Sequence, residues 1–286
     1  MSKNNRFQIC FVSILILISF SGTALCQEII NITRQDKKTV PLSVYFPDKN
    51  SCRGIIIISH GAGASEKVYS YIGKAMSSED YLTVVVGHQE SGFQALNQKV
   101  LAVGPREGLL QLITEPEAYR GRFMDIAAAK QWAQERCDAK ESILIGHSMG
   151  AATTMIEAGA KNKLGVSGSN AFDIYIALSP QGPGTIFPEN AWREISKPVL
   201  LMTGTNDWQL DVPNWKNRTE PFYDMPAGCK WLGIIKGSTH LNFAGIGLSG
   251  KTENLTVKTI QAFLAGVHQH DCKMPQREQG IEIIVK

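Results

Sequence analysis

The sequence lacks an excess of charge of either sign. Its 286 residues include 29 Lys and Arg against 26 Asp and Glu, which gives a formal net charge of +3 at pH 7. It also lacks any cluster of lysine and arginine with interleaved aromatic residues. Binding to nucleic acid depends on a concentrated positive surface, so the sequence predicts no nucleic-acid partner.

Long apolar runs are absent beyond the N-terminus. The run at 7–20 is shorter than the roughly 20 residues that a membrane-spanning helix needs. It follows Lys3 and Arg6, and small residues lie at 21–24. A basic start, a short apolar stretch and small residues in this order are typical of a secretory signal. The sequence therefore predicts a signal peptide at residues 1–26.

The remaining residues contain no linker, repeat or low-complexity stretch, so 27–286 are predicted to form one domain. No second apolar segment is long enough to span a bilayer. We therefore expect a secreted or periplasmic protein with no stable membrane span after signal cleavage. An uncleaved membrane anchor and a lipid anchor on Cys26 are the alternatives.

Cysteine is also scarce, with six residues in the chain. Four of them follow the signal peptide, and an even number in an exported domain favours disulfide bonds. Four cysteines allow three pairings, and their spacing does not choose among them. These residues are Cys52, Cys137, Cys229 and Cys272.

Short apolar runs alternate with segments of helical spacing along 27–286. Continuous apolar runs of this length are typical of strands that are buried on both faces. The alternation predicts an α/β domain with a mostly parallel sheet and helices on both of its faces. The tail at 274–286 fits either an edge strand or a loose end. The predicted strands lie at 29–33, 40–46, 54–59, 81–86, 142–145, 174–178, 199–203 and 231–235.

The segment Gly146-His147-Ser148-Met149-Gly150 follows one predicted strand and precedes a helical pattern of small residues. A G-x-S-x-G turn in this context holds the serine in a strained backbone conformation with its hydroxyl exposed. The sequence therefore predicts Ser148 as a nucleophile. An ordinary tight turn is the alternative that these five residues by themselves leave open.

A second glycine-rich turn, at 59–64, follows the first buried strand. Acyl transfer needs backbone N–H donors that are aimed at the oxygen on which negative charge develops. We predict an oxyanion hole formed by the N–H groups of Ala62 and Met149. A plain strand-to-helix turn is the alternative.

Two further strand ends carry an acid and a base. In a parallel sheet, functional residues gather in the loops that follow the strands. Asp207 is the predicted acid, with Asp211 as its competitor, and His240 is the predicted general base. The order Ser148, Asp207, His240 along the chain matches the order of a serine, an acid and a histidine in one particular hydrolase fold.

Three segments, at 59–63, 146–150 and 203–207, resemble the predicted dienelactone hydrolase group of the α/β-hydrolase superfamily. That group is related to the platelet-activating-factor acetylhydrolase and cutinase-like polyester hydrolase branches. The resemblance implies a mostly parallel, eight-stranded sheet and a catalytic triad of Ser148, Asp207 and His240. Dienelactone hydrolases use a cysteine nucleophile, so the serine of this chain favours carboxylic esters, cleaved through an acyl-enzyme.

The same resemblance implies further features. The connection at 183–198 is too short for a lid domain, so an open site is expected for short or surface-accessible esters, either small molecules or polymers. Gln181 and Trp208 lie beside this site and either contact substrate or only pack in their loops. The implied mechanism needs no metal and no other cofactor, and the polar run at 268–272 is interpreted as a terminal segment.

The fold that the resemblance implies also pairs the cysteines, as Cys52–Cys137 and Cys229–Cys272. Two other functions remain open from the sequence. A peptidase or amidase of the same fold would need a charged pocket for a peptide terminus, and no residue clearly supplies one. A non-catalytic binding protein of this fold would not need the intact set of Ser148, Asp207 and His240.

Overall fold

The computed structural model describes residues 27–47, 51–208 and 214–286. The predicted signal peptide at 1–26 and the competing acid Asp211 lie outside the described residues. The strands are β1 (Gln27–Thr33), β2 (Thr39–Tyr45), β3 (Gly54–Ser59), β4 (Tyr81–Val86), β5 (Ser142–His147), β6 (Ile174–Leu178), β7 (Val199–Asn206), β8 (Lys230–Thr239) and β9 (Ile281–Val285). The α-helices are α1 (Ser70–Ser77), α2 (Phe93–Val103), α3 (Pro105–Ile113), α4 (Pro116–Gln134), α5 (Met149–Glu157), α6 (Glu220–Asp224) and α7 (Gly250–His268).

The strands form one sheet in the order β1-β2-β4-β3-β5-β6-β7-β8-β9. Strands β3 to β8 run parallel, and β1, β2 and β9 add antiparallel pairs at the two edges. The predicted mostly parallel α/β sheet is therefore confirmed. Because parallel strands end at the same edge of a sheet, the loops that follow β3, β5, β7 and β8 meet there.

The sheet has nine strands rather than the eight that the sequence resemblance implied. The additional strand is β9, in the tail whose structure the sequence left open. It pairs antiparallel with β8, from Trp231 with Val285 to Ile235 with Ile281. Its alternate apolar side chains pack on both faces of the sheet. The tail thus covers hydrogen-bonding groups that an edge strand would otherwise leave unpaired.

The central strands are buried on both faces. Ile55 and Ile57 pack into one apolar cluster, and Ile56 and Ile58 pack into the other. Helices α4 and α5 cover the first cluster, whereas α1 and α7 cover the second. Full burial of such a side chain contributes about 1.5 to 3 kcal/mol, so the continuous apolar run of β3 suits its position in the middle of the sheet.

Strands β7 and β8 run further than the sequence pattern predicted. Their predicted ends lay at 203 and 235, whereas the ladder between them continues to the pair Asn206 and Thr239. Asp207 and His240 are therefore the first residues beyond two neighbouring strands. The extension brings these two side chains to the same edge of the sheet.

Two disulfide bonds join Cys52 to Cys137 and Cys229 to Cys272, with Cα atoms 5.5 and 5.3 Å apart. Both are the pairings that the sequence resemblance implied. Cys52 and Cys137 lie just before β3 and β5, which are neighbours in the sheet, at the edge opposite the loops described above.

Within the ranges that the structure describes, no helix has the length and apolar character needed to cross a membrane.

Replacing both Cys52 and Cys137 with serine should lower the free energy of unfolding. The bond closes a loop with a sequence separation of 85 residues, and the loss of a native disulfide typically costs about 2 to 5 kcal/mol. Urea unfolding of the variant and of wild type measures the difference. Unchanged stability, or a non-reducing peptide map with other pairings, would contradict the bond.

Candidate active site

Ser148 lies at the sharp turn between β5 and α5, with φ of 56° and ψ of −119°. Its side chain is partly exposed, and its neighbours Met149 and His147 are buried. The two flanking glycines are sterically required. A Cβ on Gly146 would lie 2.0 Å from the carbonyl oxygen of Gly150, and one on Gly150 would lie 2.0 Å from that of Ser59. Ser148 thus lies, partly exposed, in the strained strand-to-helix turn that the sequence predicted.

Asp207 and His240 are in contact at the neighbouring strand ends. Nδ1 of His240 lies 2.8 Å from Oδ1 of Asp207, and Thr203 donates its hydroxyl to Oδ2 at 2.9 Å. Asp207 is fully buried and His240 nearly so. Because a carboxylate only accepts hydrogen bonds, Nδ1 carries the hydrogen, and Nε2 is left as the basic nitrogen.

Arg218 is a third member of this cluster that sequence reasoning missed. Its Nε lies 2.9 Å from Oδ1 of Asp207, and its Nη1 donates to the carbonyl oxygens of Ser179 and Pro180, each at 3.0 Å. The guanidinium is buried. Arg218 belongs to the short 3-10 helix Trp215–Thr219, and no motif or strand end marks it in the sequence.

These contacts control the charge of Asp207. Burial by itself would raise the pKa of this carboxyl group. The hydrogen bond from His240 and the positive charge of Arg218 act in the opposite direction and lower the pKa to about 2. Asp207 is therefore ionised at neutral pH, as a carboxylate that orients an imidazole must be.

The glycine-rich turn after β3 lies against Ser148. A Cβ on Gly61 would be 3.2 Å from the Cβ of Ser148. In the part of the chain that the structure describes, the N–H of Ala62 has no hydrogen-bond acceptor. Met149 is the first residue of α5, where a helix leaves the N–H without an intrahelical acceptor. Both predicted oxyanion donors therefore lie beside Ser148.

Buried polar side chains hold the glycine-rich turn through hydrogen bonds from the interior of the domain. Arg122 donates to the carbonyl oxygen of His60 at 2.7 Å and to Ser91 Oγ at 2.8 Å. His60 donates from Nδ1 to the carbonyl oxygen of Gly61 at 2.6 Å, and its Nε2 accepts the N–H of His88. Burial holds the pKa of His60 well below its ordinary value. His60 therefore shapes the turn as a neutral side chain.

Gln181 and Trp208 lie on the loops after β6 and β7. Trp208 is 67% exposed and directly follows Asp207. Gln181 is buried, and its Oε1 has no hydrogen-bond partner among the described residues. It lines a small cavity with Asn217. Contact of either side chain with a substrate stays a prediction.

Several exposed apolar side chains near His240 were not predicted from the sequence. Leu241, Ile246 and Leu248 follow His240 and are exposed.

Over residues 27–47, 51–208 and 214–286, no three His, Cys, Asp or Glu side chains are grouped so as to hold a metal ion. In the polar run at 268–272, His268 pairs with Glu141 at the other edge of the sheet, at 2.6 Å.

Known proteins share parts of this sequence. Residues 22–101 match the family described as platelet-activating factor acetylhydrolase, isoform II. The chain is 21% identical over 224 residues to cutinase est1 of Thermobifida alba, across 76% of this chain and 60% of that protein. It is 24% identical over 223 residues to platelet-activating factor acetylhydrolase of Cavia porcellus, across 66% of this chain and 48% of that protein. The chain thus spans about half to three fifths of these curated relatives.

Solved esterases share the fold. An esterase of Pyrococcus furiosus superposes with a TM-score of 0.56 at 14% identity, over 85% of this chain and 93% of its own. Est1E from Butyrivibrio proteoclasticus gives a TM-score of 0.56 at 13% identity, over 83% and 99% of the two chains. The fold is that of the α/β-hydrolases. Together with the family match and the curated relatives, it supports an esterase branch of that superfamily, as the sequence motifs predicted.

Replacing Arg218 with glutamine should destabilise the protein in a pH-dependent way. Removal of one partner from a buried ion pair costs about 3 to 5 kcal/mol, because the other charge is left unpaired. The lowered pKa of Asp207 stabilises the fold above the ordinary value of 3.8, and this contribution is lost as the pH falls through about 2. In urea titrations, the gap to wild type should be large near neutral pH and narrow toward pH 2.

Arg193→Gln is the matched control. Arg193 pairs with Asp224 at 3.1 Å, but its side chain is largely exposed. Exposed ion pairs contribute about 0 to 1 kcal/mol, so this variant should stay close to wild type at every pH. A gap for the Arg218 variant that did not change with pH would contradict its electrostatic role.

Proposed function

We propose that the protein is an exported serine hydrolase that cleaves carboxylic esters with Ser148, Asp207 and His240. The observation that carries this proposal is the contact between His240 and the buried Asp207, at 2.8 Å, at the sheet edge where Ser148 forms its strained turn. A nucleophile, a base and an orienting acid are the groups that acyl transfer requires. The esterase relatives support the same reaction class.

In the proposed mechanism, Nε2 of His240 takes the proton of Ser148 as its Oγ attacks the ester carbonyl carbon. Asp207 stabilises the imidazolium that forms. The N–H groups of Ala62 and Met149 donate to the oxyanion, and each donor of this kind contributes about 100- to 1000-fold in rate. His240 then protonates the leaving alcohol.

The acyl-enzyme is hydrolysed by the reverse proton transfers. His240 accepts a proton from water as the water oxygen attacks the acyl carbon, and it returns that proton to Ser148 when the acid leaves. Every step uses side chains of this chain, its amide groups and water. The low pKa of Asp207 keeps its carboxylate charged through both half-reactions.

We propose an open site that accepts short or surface-accessible esters, as small molecules or on a polymer. The connection between β6 and β7, at 179–198, contains no helix or strand. Exposed apolar side chains flank the acid and base loops, including Trp208 and Leu241. They offer an apolar surface to an acyl group. Secretion or export to the periplasm fits the two disulfide bonds, which persist in oxidising compartments.

Ser148→Ala should abolish hydrolysis of p-nitrophenyl acetate and butyrate. Loss of the nucleophile from a serine triad lowers kcat by about a million-fold. Ser78→Ala is the matched control, because Ser78 Oγ only donates to Ala75 at the end of α1 and is exposed. Equal rates for wild type and Ser148→Ala would exclude the proposed nucleophile.

The same assay addresses the substrate. With an open site, rates should fall as the acyl chain lengthens beyond butyrate, and a p-nitroanilide of the same acyl group should react much more slowly than the ester. Fast anilide hydrolysis would instead favour an amidase.

Asp207→Asn should lower kcat by about 10,000-fold, because an amide at this position stabilises the unproductive tautomer of the base. Asp211→Asn is the control that separates the two acids the sequence offered, and it should retain most of the wild-type rate. Steady-state kinetics with p-nitrophenyl butyrate measure both variants. The reverse result would move the acid to Asp211.

A further inference from the structure

The hydroxyl of Tyr69 lies in a buried chain of hydrogen bonds that the proposed mechanism does not use. The N–H of Gly61 donates to Tyr69 Oη at 3.3 Å. Tyr69 Oη lies 2.8 Å from Nδ1 of His147, and Nε2 of His147 lies 3.0 Å from the carbonyl oxygen of His240. The chain joins residues that are 8, 78 and 93 positions apart in the sequence.

The direction of each hydrogen bond in this chain follows from its last acceptor. A carbonyl oxygen only accepts, so Nε2 of His147 must carry the hydrogen. In neutral His147, Nδ1 is then the acceptor, and the Tyr69 hydroxyl must donate to it. The lone pairs of that hydroxyl are left to accept the N–H of Gly61. Burial holds the pKa of His147 well below its ordinary value, which keeps the ring neutral.

The chain touches the turns that follow β3, β5 and β8, three of the four that meet at the candidate active site. Gly61 immediately precedes the predicted oxyanion donor Ala62. His147 immediately precedes Ser148, and its ring packs on that of His240 with centroids 4.7 Å apart. Gly61 and His147 are thus each next in sequence to a group that the proposed reaction uses, His240 is itself such a group, and Tyr69 connects the first two.

The backbone of Tyr69 has a strained conformation. Tyr69 is 1% exposed and has φ of 63° and ψ of 21°, in the left-handed region that few residues other than glycine adopt. Such a conformation costs about 1 to 3 kcal/mol and persists only where the surroundings impose it. The surroundings therefore impose the backbone conformation of Tyr69, whose hydroxyl lies between Gly61 and His147.

We propose that Tyr69 and His147 are positioning residues. Through one directed hydrogen-bond chain, they hold the glycine-rich turn at 59–64, the Ser148 turn and His240 in the relative positions that catalysis needs. This proposal rests on the proposed ester hydrolase function. Neither side chain needs to touch the substrate. They act by fixing the backbone at three points whose relative positions decide the rate.

Tyr69→Phe should lower kcat about 10- to 100-fold and leave KM nearly unchanged. The substitution removes a hydroxyl and keeps the ring, so the fold and the substrate surface stay intact. A displacement of about 1 Å among catalytic groups costs about 100-fold in rate. Steady-state kinetics on p-nitrophenyl butyrate separate the two constants.

Tyr175→Phe is the matched control. Tyr175 is fully buried, and its hydroxyl also accepts a backbone N–H, from Phe172 at 3.3 Å, and donates to a side chain, Asn170, at 3.0 Å. It lies at the start of β6, opposite the catalytic edge. Both variants should lower Tm by similar amounts, but only Tyr69→Phe should lower kcat. Equal kcat losses in the two variants would overturn the proposal.

A double-mutant cycle tests whether the two residues act as one unit. His147→Gln interrupts the same chain, so the variant with both substitutions should be about as slow as the slower single variant. If the two residues acted independently, the fold reductions in kcat of the single variants would multiply in the double variant. Multiplied effects would overturn the proposal.

The tautomer of His147 provides a readout that does not depend on activity. Long-range ¹H–¹⁵N NMR spectra should show the hydrogen on Nε2, and hydrogen exchange at the Gly61 amide should accelerate in Tyr69→Phe. A hydrogen on Nδ1 would overturn the chain. Inactive wild type, or an active Ser148→Ala variant, would instead refute the proposed function, while the NMR result still decides whether the chain exists.

Discussion

The buried charge of Asp207 is the constraint on which the rest of the site depends. A fully buried, ionised carboxylate is tolerated in a folded protein only when neighbouring groups compensate for its lost hydration. His240, Arg218 and Thr203 supply that compensation, and they come from the end of β8, a 3-10 helix and the end of β7. Satisfying one charge therefore fixes the relative positions of β7, the 3-10 helix and the turn that follows β8.

A second set of buried polar contacts completes this arrangement. Arg122 and His60 hold the glycine-rich turn from within the domain, and Tyr69 with His147 joins that turn to His240. Each of these side chains is fully or almost fully buried. In such surroundings an unpaired polar atom is costly, so these contacts select one arrangement of the loops. Ser148, by contrast, stays partly exposed, as the proposed nucleophile must be to reach a substrate.

Much of the fold could be predicted because local patterns carry it. Strands β3 and β4 were predicted with their observed bounds from continuous apolar runs. The tail was ambiguous, because an edge strand forms only where an unpaired neighbour such as β8 is available. Asp207 and His240 could be proposed as acid and base because each comes shortly after a predicted strand, and parallel strands bring such residues together.

Residues that act through long-range contacts could not be predicted in this way. Arg218 is one arginine among many in the sequence, and Tyr69 and His147 read as ordinary core or turn residues. The sequence by itself determined the strand and helix pattern, the serine turn and the chain order of the candidate triad, because these depend on neighbouring residues. Only the tertiary structure decided which cation meets Asp207 and which hydroxyl meets His147, because burial and hydrogen-bond partners arise when distant segments pack together.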